Sequence, residues 1–338
     1  MNTDMSRFIA DTIAAPTKKA APILSFPAAS LMGVTVRELT TDAALRTEAM
    51  RLIAERTPSL FACGFMDLSV EAEAFGAEIR FGRDEVPTVA EPLMPDSCDI
   101  ASLRVPIVGD GRTGEYVRAV SDAAKVITDR PVMGGVIGPY SLAGRLTDVT
   151  RIMLLCYDSP ALAHSLLERA TDFITDYCLA YKTNGADGVI LAEPLAGMLS
   201  PELAATFSAP YVRRIVDAVQ DDGFAVCYHN CGNNVPLMAE SIASVGAAMY
   251  HFGDAVRLAD MLPLMPSDAL VMGNISATRC FLGGTPEGIR AEVGRLFGEC
   301  GRYPNFVPSS GCDIPAGAPW ENIEAFFSAC AEARIGAR

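Results

Sequence analysis

His229 and Cys231 stand two residues apart where the apolar run Phe224-Ala225-Val226-Cys227-Tyr228 passes into the polar loop Asn230-Cys231-Gly232-Asn233-Asn234. Side chains two apart in extended backbone point to the same side, so the imidazole of His229 and the thiol of Cys231 converge on one point. A second segment, Asn305-Phe306-Val307-Pro308-Ser309-Ser310-Gly311-Cys312-Asp313-Ile314-Pro315, has the same strand-to-loop form and delivers Cys312. Together they make a Cys2His set. Three protein ligands with one open position is the arrangement of catalytic zinc, whereas structural zinc is normally closed by four. Sulfur with imidazole selects zinc over magnesium or calcium. The plain alternative is one core histidine and two buried cysteines, which is the commoner case for an isolated His-x-Cys. Position tips the balance, because both segments end strands among small polar residues where a core would hold Leu or Val. Cys227 shares the parity of His229 but lies deeper, so it reads as packing.

These residues need elements that bring them together. Strands are predicted at 23–26, 59–64, 131–136, 188–192, 225–229, 247–250, 269–273 and 305–307, where apolar, β-branched runs occur. Helices are predicted from Thr40-Thr41-Asp42 to Glu55, from Ser159-Pro160 to Thr183 before Asn184-Gly185, and from Ser200-Pro201 to Gln220. Two more run from Thr285-Pro286 towards Phe297 and from Trp320 to Ala333. Proline is tolerated in a first turn, and glycine favours a stop. Strands separated by helices imply βα units and a parallel sheet; eight of them imply an α/β fold of the (β/α)8 TIM barrel type. Active sites of such barrels lie at the strand C-terminal ends, where His229, Cys231 and Cys312 fall. Residues 66–130 are strand-poor and rich in acids and prolines, and are expected to form an insertion covering one barrel end. Residues 1–19 are expected to be an N-terminal helical extension, and 20–338 one catalytic domain. The nearest approach to a dinucleotide fingerprint, Gly134-Gly135-Val136-Ile137-Gly138-Pro139, has a proline and the wrong spacing for a phosphate cradle.

Composition narrows the function classes. The chain has 338 residues, half of them hydrophobic, which is enough for a large core and excludes global disorder. Its 27 basic and 41 acidic residues leave a net charge of −14, which argues against nucleic acid or an anionic membrane as a partner. No run approaches the length of a membrane span, and Phe8–Ala15 carries Asp11 and lacks a basic leader beyond Arg7, so it is a poor signal peptide. Ten irregularly spaced cysteines with no CxxC pair read as reduced thiols, which points to a cytoplasmic location.

Further motifs occur in order: Asp67-Leu68-Ser69-Val70-Glu71-Ala72-Glu73-Ala74-Phe75-Gly76, Gly185-Ala186-Asp187, Glu193-Pro194, Leu199-Ser200-Pro201, His229-Asn230-Cys231, Gly273-Asn274-Ile275 and Ser310-Gly311-Cys312-Asp313-Ile314-Pro315. Over about residues 20 to 335 the series resembles the uroporphyrinogen decarboxylase superfamily, specifically its zinc-dependent branch of methylcobamide:coenzyme M methyltransferases. The resemblance implies a (β/α)8 barrel, Zn2+ held by His229, Cys231 and Cys312, and transfer of a methyl group from a methylated corrinoid to a thiol such as coenzyme M. The methylcobamide would ride on a partner protein, because a corrinoid-binding Asp-x-His-x-x-Gly is missing: the window around His229 has Cys227 where Asp is needed. The chemistry agrees. A free thiol of pKa ~8.5 is only about 3% ionised at pH 7. Lowering the pKa by ~2 units raises the thiolate fraction roughly 25-fold, and lower basicity costs about 8-fold in nucleophilicity. Ionisation by zinc thus contributes only about threefold, and holding a zinc-bound thiolate in line with the methyl group should contribute more.

Asp67 and Glu193 are candidate catalytic residues, able to take the proton of the incoming thiol or to orient ligands. Glu71, which could share that proton or ligand-orienting role, and Asn274, Tyr250 and His251, which fall near predicted strand ends, are candidate substrate-binding residues. The alternatives for these are solvated faces, helix N-terminal charges and turn residues. A second reading is a uroporphyrinogen decarboxylase-type lyase, whose polycarboxylate substrate calls for several arginines; residues 1–36 hold only Arg7, Lys18 and Lys19 as cations. Others are a methylcorrinoid:tetrahydrofolate methyltransferase, with a pterin acceptor, and a non-enzymatic protein, either a barrel using zinc structurally or a docking subunit for a corrinoid protein.

Overall fold

The computed structural model describes residues 3–94, 100 and 102–333; Cys98, one of the ten cysteines read above as reduced thiols, lies outside them. Seven strands form one sheet: β1 (Ala62–Cys63), β2 (Val132–Ile137), β3 (Gly188–Ala192), β4 (Ala225–Asn230), β5 (Met249–Phe252), β6 (Leu270–Ile275) and β7 (Phe306–Ser310). They lie in chain order. Every pairing in this sheet is parallel, and the sheet curls into a half-barrel.

The strand expected at 23–26 is not in the ladder. Instead, the neighbouring segment makes single bonds to each side: Ala21 N donates to Pro308 O of β7 at 2.9 Å, and Leu60 N, just before β1, donates to Ala20 O at 2.8 Å. Pro22 and Pro27 flank the segment and Pro308 lies in its neighbour; none has an N–H to give, so a regular ladder cannot propagate. The first strand in the sheet is also shorter than the predicted 59–64.

Alternation along the strands separates two faces. Cys63, Met133, Ile190, Ala225, Cys227, Met249, Leu270, Met272 and Val307 form one apolar cluster on the concave side. Val132, Val189, Leu191, Val226, Tyr228, Tyr250, Val271 and Phe306 pack outward with the helices. Both faces are covered, which is why the strands read as nearly unbroken apolar runs. Helices including Thr113–Val126, Pro139–Thr147, Pro160–Thr183, Ala209–Val219, Pro286–Cys300 and Trp320–Glu332 make the outer layer.

The helix Met5–Ala14 buries Met5 and Ile9 against the concave cluster. It is tied to the ends where strands begin: Thr3 N donates to Asp187 Oδ1 at 3.0 Å, and Met5 N to Asp222 O at 2.6 Å. The region 66–130 is less of an insertion than expected. It holds the short helix Val70–Ala74 and an antiparallel pair, Ile79–Arg80 with Thr88–Val89, but from Thr113 it is an ordinary outer helix burying Tyr116, Val120 and Ala123. The helix predicted for 201–220 is two, Pro201–Phe207 and Ala209–Val219, broken at Ser208 just before Pro210.

Candidate metal centre

On β4 the side chains of Ala225, Cys227 and His229 share the concave parity, the first two deep in the apolar cluster and His229 at the C-terminal end. Cys231 follows just past the strand. Its turn is set by Asn230, whose Oδ1 accepts the N–H of Gly232 at 3.0 Å. Cys312 stands two residues beyond the end of β7. Strands β5 and β6 separate these segments in the sheet, so only the curl can bring Cys312 to His229. It does: one ligand atom from each of His229, Cys231 and Cys312 lies within 4.8 Å of the others, and Cys312 Sγ is 3.9 Å from His229 Nε2. Zinc bond lengths place tetrahedral N and S ligands ~3.6 Å apart and two sulfurs ~3.8 Å apart. The donor set and its spacing fit that ion. Gly253 permits the approach, since a Cβ there would stand 2.5 Å from the Cβ of Cys231.

His229 is buried and both cysteines are half-buried, so the cluster is open on its sulfur side. The two thiols interact: the hydrogen bond with Cys312 pulls the Cys231 thiol below its ordinary range, while the same contact and burial push Cys312 up to about 12. Behind His229, the register aligns Ala192, His229 and His251 across β3, β4 and β5. His229 Nδ1 lies 2.8 Å from His251 Nδ1. His251 Nε2 lies 2.8 Å from Ser309 Oγ, and Ser309 Oγ donates to Ala21 O at 2.7 Å. Burial holds the imidazole of His251 well below its usual titration range.

The other expected site residues are placed differently. Asp67 is saturated by structural partners: Arg112 Nη1 at 2.6 Å, Tyr116 OH at 2.8 Å and Ser69 Oγ at 2.6 Å all donate to it. Glu71 Oε1 accepts the N–H of Ile137 at 2.8 Å, and burial pushes its carboxyl up to about 8. Glu193 sits on the first turn of the helix Pro139–Thr147, accepting Tyr140 N at 3.1 Å and Ser141 N at 2.6 Å; burial pushes it up to about 7. These contacts make Glu193 a helix-terminus charge, the alternative weighed for it above.

Two expectations need correcting. Tyr250 faces the outer helices, with its OH donating to Ala243 O at 3.1 Å, because it has the opposite parity to the concave face. His251 is not placed to touch a substrate: it is 1% exposed and lies behind His229. Asn274 Nδ2 is spent on the carbonyls of Gly253 and Val256, at 2.9 and 2.7 Å. Its residue borders a polar cleft of about 310 Å³ with Asp254, Arg257, Arg279 and Glu292.

Sequence reasoning missed Ser309, although a polar residue at the parity of Val307 was the available signal. It also missed Asp313, whose carboxyl burial and the neighbouring Cys312 hold well above the usual range.

Known proteins resemble this chain in sequence and in fold. The family model "Uroporphyrinogen decarboxylase (URO-D)" matches residues 11–333. A uroporphyrinogen decarboxylase of Alcanivorax borkumensis is 26% identical over 304 residues, covering 87% of this chain and 85% of that one. A methylcobamide:CoM methyltransferase of Methanosarcina acetivorans is 26% identical over 268 residues, covering 76% and 75%. Among solved structures, a methyltransferase from Methanosarcina mazei superposes with a TM-score of 0.86 at 24% identity, over 98% of this chain and 99% of that one, a likeness of fold. Relatives of both chemistries are enzymes, and a match running nearly the whole length of the chain makes it a member of the uroporphyrinogen decarboxylase family.

Proposed function

We propose that this protein is a zinc-dependent methyltransferase that moves a methyl group from a methylated corrinoid, carried by a partner protein, to a small thiol such as coenzyme M. The convergence of His229, Cys231 and Cys312 carries this reading. The methyltransferase relatives support it. When bound, zinc would supply a positive charge that lowers the pKa of the acceptor thiol.

This chain's residues do the rest. His229 is held rigidly by its strand and by His251, and the two half-buried cysteines leave one side of the cluster for the acceptor sulfur. The apolar residues beneath, Cys227, Met249 and Met272, exclude water from the concave side. Neither Asp67 nor Glu193 is assigned the acceptor's proton, because their oxygens are engaged elsewhere. We further read residues 20–338 as one catalytic domain of (β/α)8 type, with the segment before Ile23 in place of the eighth strand and residues 1–19 as an extension. The nine described cysteines are all free, which supports a reducing, cytoplasmic location. Among the described residues, no helix is long and apolar enough to cross a membrane.

The decarboxylase relative, matching at the same 26% identity, sustains a second reading as a lyase. One experiment separates them: zinc content is measured on the purified protein, alongside loss of methylcobalamin absorbance with coenzyme M, other thiols and tetrahydrofolate. Stoichiometric zinc and demethylation by one acceptor class support the proposal. A metal-free protein whose Cys312→Ala variant transfers methyl groups at full rate, or rapid uroporphyrinogen decarboxylation without zinc, overturns it.

A further inference from the structure

We propose that His251 is a positioning residue: as a neutral imidazole it accepts the Nδ1–H of His229, so that His229 presents an unprotonated Nε2 to the two thiols. This deepens the metal reading above and rests on it.

The direction of each bond in the chain follows from its far end. Ala21 O is a carbonyl and can only accept, so Ser309 Oγ, 2.7 Å away, spends its single proton there. Towards His251, 2.8 Å away on its other side, Ser309 can then only accept, and His251 Nε2 must carry a hydrogen. At His251 Nδ1, 2.8 Å from His229 Nδ1, one proton lies between two nitrogens. If it belonged to His251, that ring would be a cation at 1% exposure beside the apolar residues Met249 and Met272, an unfavourable place for a charge. The proton therefore belongs to His229, whose Nε2 keeps its lone pair and faces Cys312 Sγ at 3.9 Å.

Ligating histidines usually donate their second N–H to a carboxylate, a carbonyl or water. Here an imidazole takes that place and passes the constraint through Ser309 to Ala21. The relay ends at Ala21, just before Pro22, in the stretch that does not join the sheet as a strand, so its irregular course has a consequence for the site: it aims a carbonyl inward. A regular strand would have used that carbonyl in the ladder.

The test has two arms, and zinc is the probe. Zinc affinity is measured by competition with a chromophoric chelator for the wild type, His251→Phe, His251→Asn and Ser309→Ala, each checked for a cooperative melt. His251→Phe keeps a ring but removes the acceptor, and is expected to bind zinc about 10- to 100-fold more weakly. His251→Asn, which retains an acceptor oxygen near the Nδ1 position, should recover part of the loss, and Ser309→Ala should lie between. Full wild-type affinity in a folded His251→Phe protein overturns the relay.

The second arm needs neither variant nor metal. With only three histidines in the chain, 15N-histidine labelling resolves each ring. The metal-free protein should show His229 as the Nδ1–H tautomer and His251 as the Nε2–H tautomer. The reverse assignment for either ring overturns the proposal. A wild type that binds no zinc overturns the metal reading, and the tautomer spectrum then still decides the relay.

Discussion

Oε1 of Glu71 accepts the backbone N–H of Ile137 at 2.8 Å, placing a carboxyl in the core beside the C-terminal end of β2. Burial pushes that carboxyl from an ordinary 4.5 up to about 8, and Glu193 in the same direction up to about 7. A carboxyl raised in the folded state binds more protons folded than unfolded above pH 4.5, so stability falls as pH rises. Its contribution is complete below about 4.5 and lost by about pH 8 for Glu71. Thermal melts at pH 5 and pH 8 should show wild type losing more stability than Glu71→Gln, by roughly a few kcal/mol. An identical pH dependence in the two proteins would show that Glu71 stays ionised in the fold.

Removing a sulfur from the candidate metal centre should abolish its metal. Loss of an outer partner of a ligand already weakens binding about 10- to 100-fold, so Cys312→Ala and Cys231→Ala should each lose at least that much zinc affinity. Thiol-dependent demethylation of methylcobalamin should fall by at least roughly 100-fold with the metal. Cys227→Ala, lying deeper in the apolar cluster, should keep its zinc; metal analysis after dialysis against a weak chelator distinguishes them.

Asp67 and Arg112 form a buried ion pair at 2.6 Å, with the Asp67 side chain fully covered. Without Asp67, Arg112 keeps its second partner Glu73 at 2.6 Å, but the buried hydroxyl of Tyr116 and one arm of the guanidinium lose their acceptor, at a cost of about 1–3 kcal/mol. Asp67→Ala should lower the urea midpoint accordingly, while zinc per folded molecule stays at the wild-type level. Loss of zinc without loss of stability would place Asp67 in the site instead.

Gly253 lets the end of β5 pass against Cys231. A methyl group there would stand 2.5 Å from Cys231 Cβ and 2.6 Å from its Cα, so backbone must move. Gly253→Ala is expected to destabilise the protein by about 1–3 kcal/mol and to weaken zinc binding, because Cys231 is displaced from His229. Calorimetry with a zinc titration reads both; unchanged affinity would show that the loop absorbs the methyl group without moving the sulfur.

The local chemistry of this chain was legible from its order of residues. His229 and Cys231 face one way because side chains alternate along a strand, a fact of two neighbouring residues that needs no partner. The same rule shows that Tyr250 and His251, being adjacent, cannot share a face. The helix starts at Ser159-Pro160 and Thr285-Pro286 are likewise local, set by what proline can do in a first turn. What lies across the sheet was not legible. Whether Cys312 meets His229 depends on how far seven strands curl, and whether Glu193 faces a metal or a helix depends on where Tyr140 and Ser141 place their N–H groups. The role of His251 depends on the register that sets it beside His229, on Ser309 reaching it from β7, and on Ala21, just before Pro22, offering its carbonyl there. Residue types and short spacings decided which groups could bind a metal. Contacts between residues far apart in the chain decided which of them meet, because those distances follow from packing that no single segment carries.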